Sequence, residues 1–448
     1  MLLVRQQIPV LLCALAIEAV WVMVAELGDL RLAIYQLWIL TVCAFGAYIT
    51  ASVYITRNHT SIITIIIASA VFRLTLLPTT PSLSDDIYRY LWDGQVQLAG
   101  INPYSFAPSS EALFTLRDDQ FSLINHKNIP TVYPPLAQML FYLVAVINRS
   151  VLAMKIALLC CECVLAFTLI YLLRITHLDT RRVVWYLWNP LAVLEIAGNG
   201  HIDVLGIMLT MVMMAAMLAG RRCIAALMLA GAILSKLIPL LAAPLLWREF
   251  GHGRHKNWRS WTKLEDRLPW MLLPTGIGAG YLLYADAGRA MFDGLLTYLA
   301  KWRFNDSIFS LVREGILLIQ LEEGFADIAA RTFCAMALIT VCVASLVRIT
   351  DPIKVGFFMI ASFTLLSPTL HPWYLLWILP FLPFHPNPAW ISLSGLILLT
   401  YTVLERYRLE GIWEEQGWIK WAEYAPFYFL LIAVPMFRDR SHSLMLRR

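Results

Sequence analysis

Charge is scarce in this chain. Asp, Glu, Lys and Arg make up 15% of its 448 residues, where a soluble globular domain carries about 25%. With 59% hydrophobic residues and a mean hydropathy of +0.67, a soluble domain is excluded. The chain also lacks internal repeats and low-complexity tracts, so it reads as one integral membrane domain over 1–448 rather than a repeat array. No small-residue cleavage site follows the first apolar run, which is therefore expected to stay as the first helix. Cysteine is present without a metal pattern: nothing matches a paired zinc spacing, and Cys160, Cys161 and Cys163 share one apolar helix, where they read as buried small hydrophobes. The net charge of +5 comes with lysines and arginines in short loops, the distribution of cytoplasmic loops in a membrane protein and not of a nucleic-acid surface.

What is present is a succession of apolar runs of about spanning length, at 8–25, 34–56, 60–77, 151–173, 183–198, 204–220, 268–285, 328–347, 353–368, 371–384, 389–403 and 422–437. The expectation is an all-α polytopic membrane protein. Charge parity sharpens it. Arg174, Arg181 and Arg182 mark one cytoplasmic loop, Arg221 and Arg222 another, and the basic loop 248–267 a third. A single helix over 223–247 would put that third loop on the wrong side. Two half-helices meeting near Ser235 and Lys236 restore the parity, and Pro239 and Pro244 suit a broken segment. The same count places the long loop 78–130 outside and makes 132–148 dip in and return or lie along the interface. Roughly 11–13 membrane helices follow, some of them not spanning. A loop as long as 78–130 is usually functional or disordered, and its aromatics and prolines argue for order.

That loop carries the densest polar signal. Ser84 reads as an N-cap, Asp85 and Asp86 as the first turn of a helix, and Gly100 as its end. Tyr88, Tyr90 and Trp92 suit an interface, so the helix is expected to be amphipathic and to lie on the outer membrane surface. Asp85, Arg89 and Asp93 fall on one stripe. The helix dipole favours ionised carboxylates at its start, as a general base or a cation ligand requires. The plain alternative is an acidic cap with a surface salt-bridge stripe.

Other polar islands sit at the ends of apolar runs: Thr131 to Pro135 around Tyr133; Trp188-Asn189-Pro190 running on through Glu195, Asn199, His201 and Asp203; Ser235-Lys236; Lys301 to Ser307, with Arg303 and Asn305; and His371-Pro372-Trp373-Tyr374. By parity each opens to the outer side. Tyr-Pro-Pro could be only a helix start, the histidines could be satisfied helix-end residues, and Lys301 and Arg303 could be loop charges. Lys236, in the middle of an apolar stretch, is harder to explain without a function.

The order of these motifs carries a resemblance. Asp85-Asp86-Ile-Tyr88, Trp92-Asp93-Gly, Asn102-Pro-Tyr104 and Tyr133-Pro-Pro-Leu-Ala resemble the first luminal loop of GT-C glycosyltransferases. They are most similar to the first mannosyltransferase of glycosylphosphatidylinositol assembly and its bacterial relatives, with their Asp-Ile-Asp-Tyr, Ser-Pro-Tyr and Tyr-Thr-Pro-Leu-Leu-Ala. Asn189-Pro190-Leu, Gly198-Asn199-Gly-His201-Ile-Asp203, Lys236-Leu-Ile-Pro239, Arg303-Phe-Asn305 and Pro372-Trp-Tyr374-Leu-Leu-Trp377 match later motifs in the same order. The matches run from about residue 84 to 384. Two departures stand out: the acids are adjacent here instead of spaced by one residue, and His201 stands where the relatives have alanine.

The resemblance implies a GT-C-like bundle with 78–130 as its extracytoplasmic catalytic loop. It also implies a polyprenyl-phosphate sugar donor, mannose in particular, and a lipid-linked or envelope glycan acceptor at the outer face of a bacterial inner membrane. On that reading Asp85 or Asp86, with Asp85 the first choice, is the base of an inverting displacement. Lys236, Lys301 and Arg303 are candidates to neutralise the leaving phosphate. His201, Asp203 and His371 position sugars or protons, and Arg89, Asp93, Asn102, Tyr104, Tyr133, Asn199, Asn305 and Tyr374 complete the substrate site. The two aspartates could together hold a divalent cation; no metal or other cofactor is required. The competing classes are a transporter or lipid flippase, against which stands the lack of a matching second broken helix, and a non-catalytic envelope scaffold.

Overall fold

In a bilayer core each backbone N–H and C=O must find a partner within its own segment, so apolar runs become helices. The computed structural model describes residues 2–58, 60–251 and 264–445, and its regular structure is helical. Among the described residues the only strand-like pairing is an isolated bridge between Phe304 and Thr369. The chain is an all-α polytopic membrane protein. Among the described residues, five helical segments are long and apolar enough to cross a bilayer: Gln7–Glu26, Ile34–Arg57, Val151–Ile175, Glu323–Arg348 and Pro388–Glu410. Shorter apolar helices lie between them.

In chain order, α1 is Leu2–Glu26, α2 Ile34–Arg57, α3 Ile62–Leu76, α4 Asp86–Leu98, α5 Pro135–Asn148 and α6 Val151–Ile175. Next come α7 (Asp203–Leu218), α8 (Arg222–Ser235), α9 (Ala243–Gly251), α10 (Leu264–Leu282) and α11 (Asp293–Lys301). Two long helices follow later, α12 (Glu323–Arg348) and α13 (Gly417–Met445). Starts are set by local chemistry. Ser150 accepts from the Ala153 N–H, and Asp351 from that of Ile353 ahead of Pro352. α5 begins on Pro135, which has no N–H to leave unsatisfied.

The broken segment lies where charge parity put it. α8 stops at Ser235, Lys236 is extended (φ −161°), and a tight turn over Ile238–Ala242 precedes α9. The expected span at 183–198 is also broken, into short turns around Asn189-Pro190 and a wide π-helical turn over Val193–Gly198, which corrects the expectation of a single broken helix: Pro190 has no N–H to continue the preceding turn. The basic loop expected at 248–267 falls largely on residues 252–263, outside the described residues.

Two further expectations need correction. Cys160 and Cys163 are exposed on the flank of α6, not buried in protein; lipid is as apolar a partner for a thiol as a protein core is. More important, α4 is not a surface helix. Ile87 through Gly94 and Val96 are all buried, beneath α5, α6 and the 111–124 segment. Its polar residues find partners across the fold, which removes the need for a wet face: Gln97 Nε2 donates to Gln138 Oε1 (3.0 Å) and Gln95 Nε2 to the Leu116 carbonyl (2.9 Å).

The two ends of the bundle differ in charge. Arg181 reaches the Asn58 carbonyl, Arg182 donates to the carbonyls of Pro383 (2.7 Å) and Phe384 (2.8 Å), and Arg248 caps Leu346 (3.0 Å) at the end of α12. α2 and α6 both finish at this basic end. The polar islands gather at the other.

Candidate active site

The first turn of α4 supplies the central acid. Ser84 Oγ accepts from the Asp86 N–H (3.3 Å), while Asp85 occupies the cap position without a side-chain capping bond. The helix ends at Leu98, and the chain turns at Gly100 (φ +74°). One helical step separates the two aspartates, and it sends them to different neighbours. Asp85 faces Arg31 (3.8 Å). Burial lifts its carboxyl above the ordinary carboxylate value, Arg31 opposes that, and Asp86 and Asp29 add to it. Asp86 turns inward, its Oδ2 lying 3.9 Å from His201 Nδ1.

His201 is brought there by the wide turn. The Asn199 N–H bonds to the Leu194 carbonyl (2.9 Å) and the His201 N–H to that of Glu195 (3.1 Å). Gly200 sits at φ +74°, a left-handed conformation that L side chains rarely adopt, so glycine lets the turn close on the start of α4. Beneath His201 lies Glu195, fully buried. It accepts from Tyr401 Oη (2.8 Å) and Asn199 Nδ2 (3.1 Å), and its Oε2 is 3.2 Å from His201 Nε2. The imidazole stacks on Trp373 (4.1 Å, 15°), Trp373 on His371 (4.4 Å, 2°), and His371 on Phe304 (4.7 Å, 27°).

A cation stands beside this stack. Lys236, released from helix geometry at the break, donates to Asp203 Oδ1 (2.6 Å) and lies 4.6 Å over the Tyr374 ring. Trp377 Nε1 donates to the same Asp203 oxygen (2.7 Å), leaving Asp203 Oδ2 buried without a partner. The hydroxyls of Tyr374 and Tyr298 are 2.6 Å apart. Burial pushes the Tyr298 phenol up to about 12, and Asp86 and Asp203 add to the rise.

The structure thus brings together Asp86, Asn199, His201, Asp203, Lys236, His371 and Tyr374, with Tyr133 on the adjoining wall against Tyr90 (5.0 Å). It places the remaining candidates elsewhere. Arg89 donates to Asp93 (2.8 Å) and the Ile129 carbonyl (3.0 Å). Asp93 also accepts from Thr131 (2.5 Å) and Gln138 (2.8 Å), so this pair ties the loop to α4. Asn102 binds Asp286 (2.6 Å) and Tyr104 the Tyr133 carbonyl (2.7 Å), which are framework contacts. Arg303 is held by Asp306 (3.0 Å) and Asn305 by Glu423 (2.7 Å), and Lys301 is exposed at the end of α11. Glu195, Trp373, Tyr298 and Trp377 were not among the candidates. Of these, a carboxylate in an apolar run was the one readable signal.

Among the described residues no group of three or more His, Cys, Asp or Glu side chains could hold a metal ion.

A carboxylate, an imidazole and a paired lysine, walled by aromatic rings, thus gather at one end of an apolar helical bundle. The chain belongs to the MptA/B family: the model of the alpha-(1->6)-mannopyranosyltransferase N-terminal domain matches residues 11–248. It is a membrane mannosyltransferase. No protein with a curated description matches it.

Proposed function

We propose that the protein transfers mannose from a polyprenyl-phosphate donor to a glycan or glycolipid acceptor at the extracytoplasmic face of a bacterial inner membrane, with inversion and with Asp86 as the base. The carrying observation is the position of Asp86, at the start of α4 and facing His201, with the Lys236–Asp203 pair in the same cluster. Sidedness is supported by the basic residues at the opposite end of the bundle. The lipid donor is supported by the apolar helices among which the cluster sits. Such a donor cannot leave the bilayer, so its phosphate and sugar have to be met at the interface.

In this reading Asp86 takes the proton from the acceptor hydroxyl as that oxygen attacks the anomeric carbon. The carbon–oxygen bond to phosphate breaks, and the lipid phosphate departs with the bonding pair. Lys236, held by Asp203 within the same cluster as Asp86, is placed to neutralise it, whereas Arg303 pairs with Asp306 apart from that cluster. The unpartnered Asp203 Oδ2 is free to accept a sugar hydroxyl. No metal step is needed, because a phosphate monoester leaves with less charge to neutralise than a nucleotide diphosphate.

The test is turnover of labelled polyprenyl-phosphate mannose in membranes. Asp86→Asn should lose about 10²–10⁴-fold in rate, while Asp85→Asn keeps most of it. Full turnover by folded Asp86→Asn would remove the base, and loss confined to Asp85→Asn would move the role to its neighbour.

A further inference from the structure

We propose that Glu195 and His201 form a proton relay behind Asp86. Glu195 is the positioning residue that fixes His201 with its proton on Nε2, leaving Nδ1 to receive the proton that Asp86 strips from the acceptor. The proposal rests on Asp86 as the base.

The geometry is a line of three groups. Glu195 Oε2 is 3.2 Å from Nε2, and Nδ1 on the far side of the ring is 3.9 Å from Asp86 Oδ2. Glu195 is 0% exposed and His201 is 0% exposed, yet neither ring nitrogen completes a hydrogen bond of good geometry. Buried polar atoms are nearly always satisfied, and an exception calls for a reason. An ionised carboxylate only accepts. Tyr401 and Asn199 already donate to Glu195, and the arrangement that avoids opposing lone pairs at its remaining neighbour is Nε2–H. The Nδ1 lone pair then faces Asp86.

While Asp86 is ionised, two acceptors oppose each other and no bond forms, which agrees with a separation beyond hydrogen-bond range. Once Asp86 has taken a proton it becomes a donor, and the gap can close. The order of events balances. The acceptor O–H bond breaks and its oxygen bonds to the anomeric carbon. The phosphate leaves with the electron pair of the old bond. The proton passes from Asp86 to Nδ1, and the resulting imidazolium is met by the Glu195 carboxylate. Such active-site bonds are commonly long before substrate binds.

Local structure supports a built device. The wide turn over Val193–Gly198 puts Glu195 and His201 on one side of the backbone, with the His201 N–H on the Glu195 carbonyl (3.1 Å). π-turns of this kind occur frequently at functional sites. The ring cannot swing away, because Trp373 stacks on it and is itself backed by His371.

The experiment measures kcat, donor KM and the solvent deuterium isotope effect in membranes supplied with labelled polyprenyl-phosphate mannose. Glu195→Gln preserves size but can offer N–H to Nε2 and invert the tautomer; an amide for the orienting carboxylate costs about 10⁴-fold in a serine-protease triad. Here kcat should fall about 10²-fold or more, with donor KM within about twofold and a larger isotope effect as proton departure becomes limiting. Glu195→Asp should recover part of the rate, and added imidazole should restore part of it to His201→Ala.

Wild-type kcat in Glu195→Gln overturns the relay. So does a joint loss of kcat and donor affinity with an unchanged isotope effect and no recovery by Glu195→Asp or imidazole, which is the mark of a structural role. An inactive Asp86→Asn beside a fully active Glu195→Gln sinks the relay alone. A fully active Asp86→Asn sinks the base itself.

Discussion

Gly94 packs α4 against α5 two turns from Asp86, the proposed base, and Gly94→Ala is the sharpest test of the packing behind the site. A Cβ there would lie 2.5 Å from the Phe141 carbonyl oxygen and 2.9 Å from Ala145 Cβ. The first contact is with backbone in the middle of α5, so no side-chain end can move aside. Ordinary carbon–oxygen contact lies at about 3.3 Å, so α4 and α5 must part by close to 1 Å. Small residues at such crossings are what allow membrane helices to approach. Overpacking of this kind costs about 1–3 kcal/mol. The kinetic effect should be larger, because α4 carries Asp86, and a misplacement of 1 Å costs about 10²-fold in rate. The assay is mannosyl transfer beside thermal unfolding in detergent. Gly46→Ala is the control: it too lies inside a helix, but with nothing within 4 Å of a new Cβ. It should stabilise by about 0.5–1 kcal/mol with turnover unchanged. If Gly94→Ala behaved like Gly46→Ala, the close crossing would not be what positions Asp86.

Two further outcomes follow from buried and half-buried charge. Arg73 and Glu162 form a two-pronged pair in the bundle (2.7 and 2.6 Å), with Tyr186 adding a bond to Glu162 (3.2 Å). Glu162→Leu alone should cost about 3–5 kcal/mol, and Arg73→Leu with Glu162→Leu much less; equal unfolding temperatures for the single and double variants would count against this. At Asp85 the folded-state pKa is raised, so the folded form binds the proton more tightly than the unfolded chain does. Its stability contribution is therefore present in acid and lost as pH climbs from the ordinary value of 3.8 through the raised one. Asp85→Asn should flatten the fall in unfolding temperature over that window, and a steeper fall would reverse the sign assigned here.

The sequence was legible where one residue type answers to one physical demand. Loop arginines obey a sidedness rule, and parity alone located the break at Ser235–Lys236. Asp86, His201, Asp203 and Lys236 were readable because charge inside apolar sequence needs a reason. The misreading of α4 has the opposite cause. Its Gln95, Gln97, Arg89 and Asp93 look like a wet face, but Leu116, Gln138, Ile129 and Thr131 satisfy them from elsewhere in the chain, and no local pattern announces such pairings. Which of Asp85 and Asp86 would face His201 was likewise beyond periodicity. It depends on Arg31 and His201, which lie on either side of the helix start and come from distant segments.

The ring stack also fixes when the cluster is complete. His201 belongs to the first half of the chain, and the Trp373 that holds its imidazole belongs to the last quarter. A nascent chain inserted as far as Lys236 already carries Asp86, His201 and Lys236, but the imidazole has no Trp373 wall to rest on. The aromatic wall of the cluster is thus complete only once the C-terminal helices have entered the bilayer beside the first half of the chain.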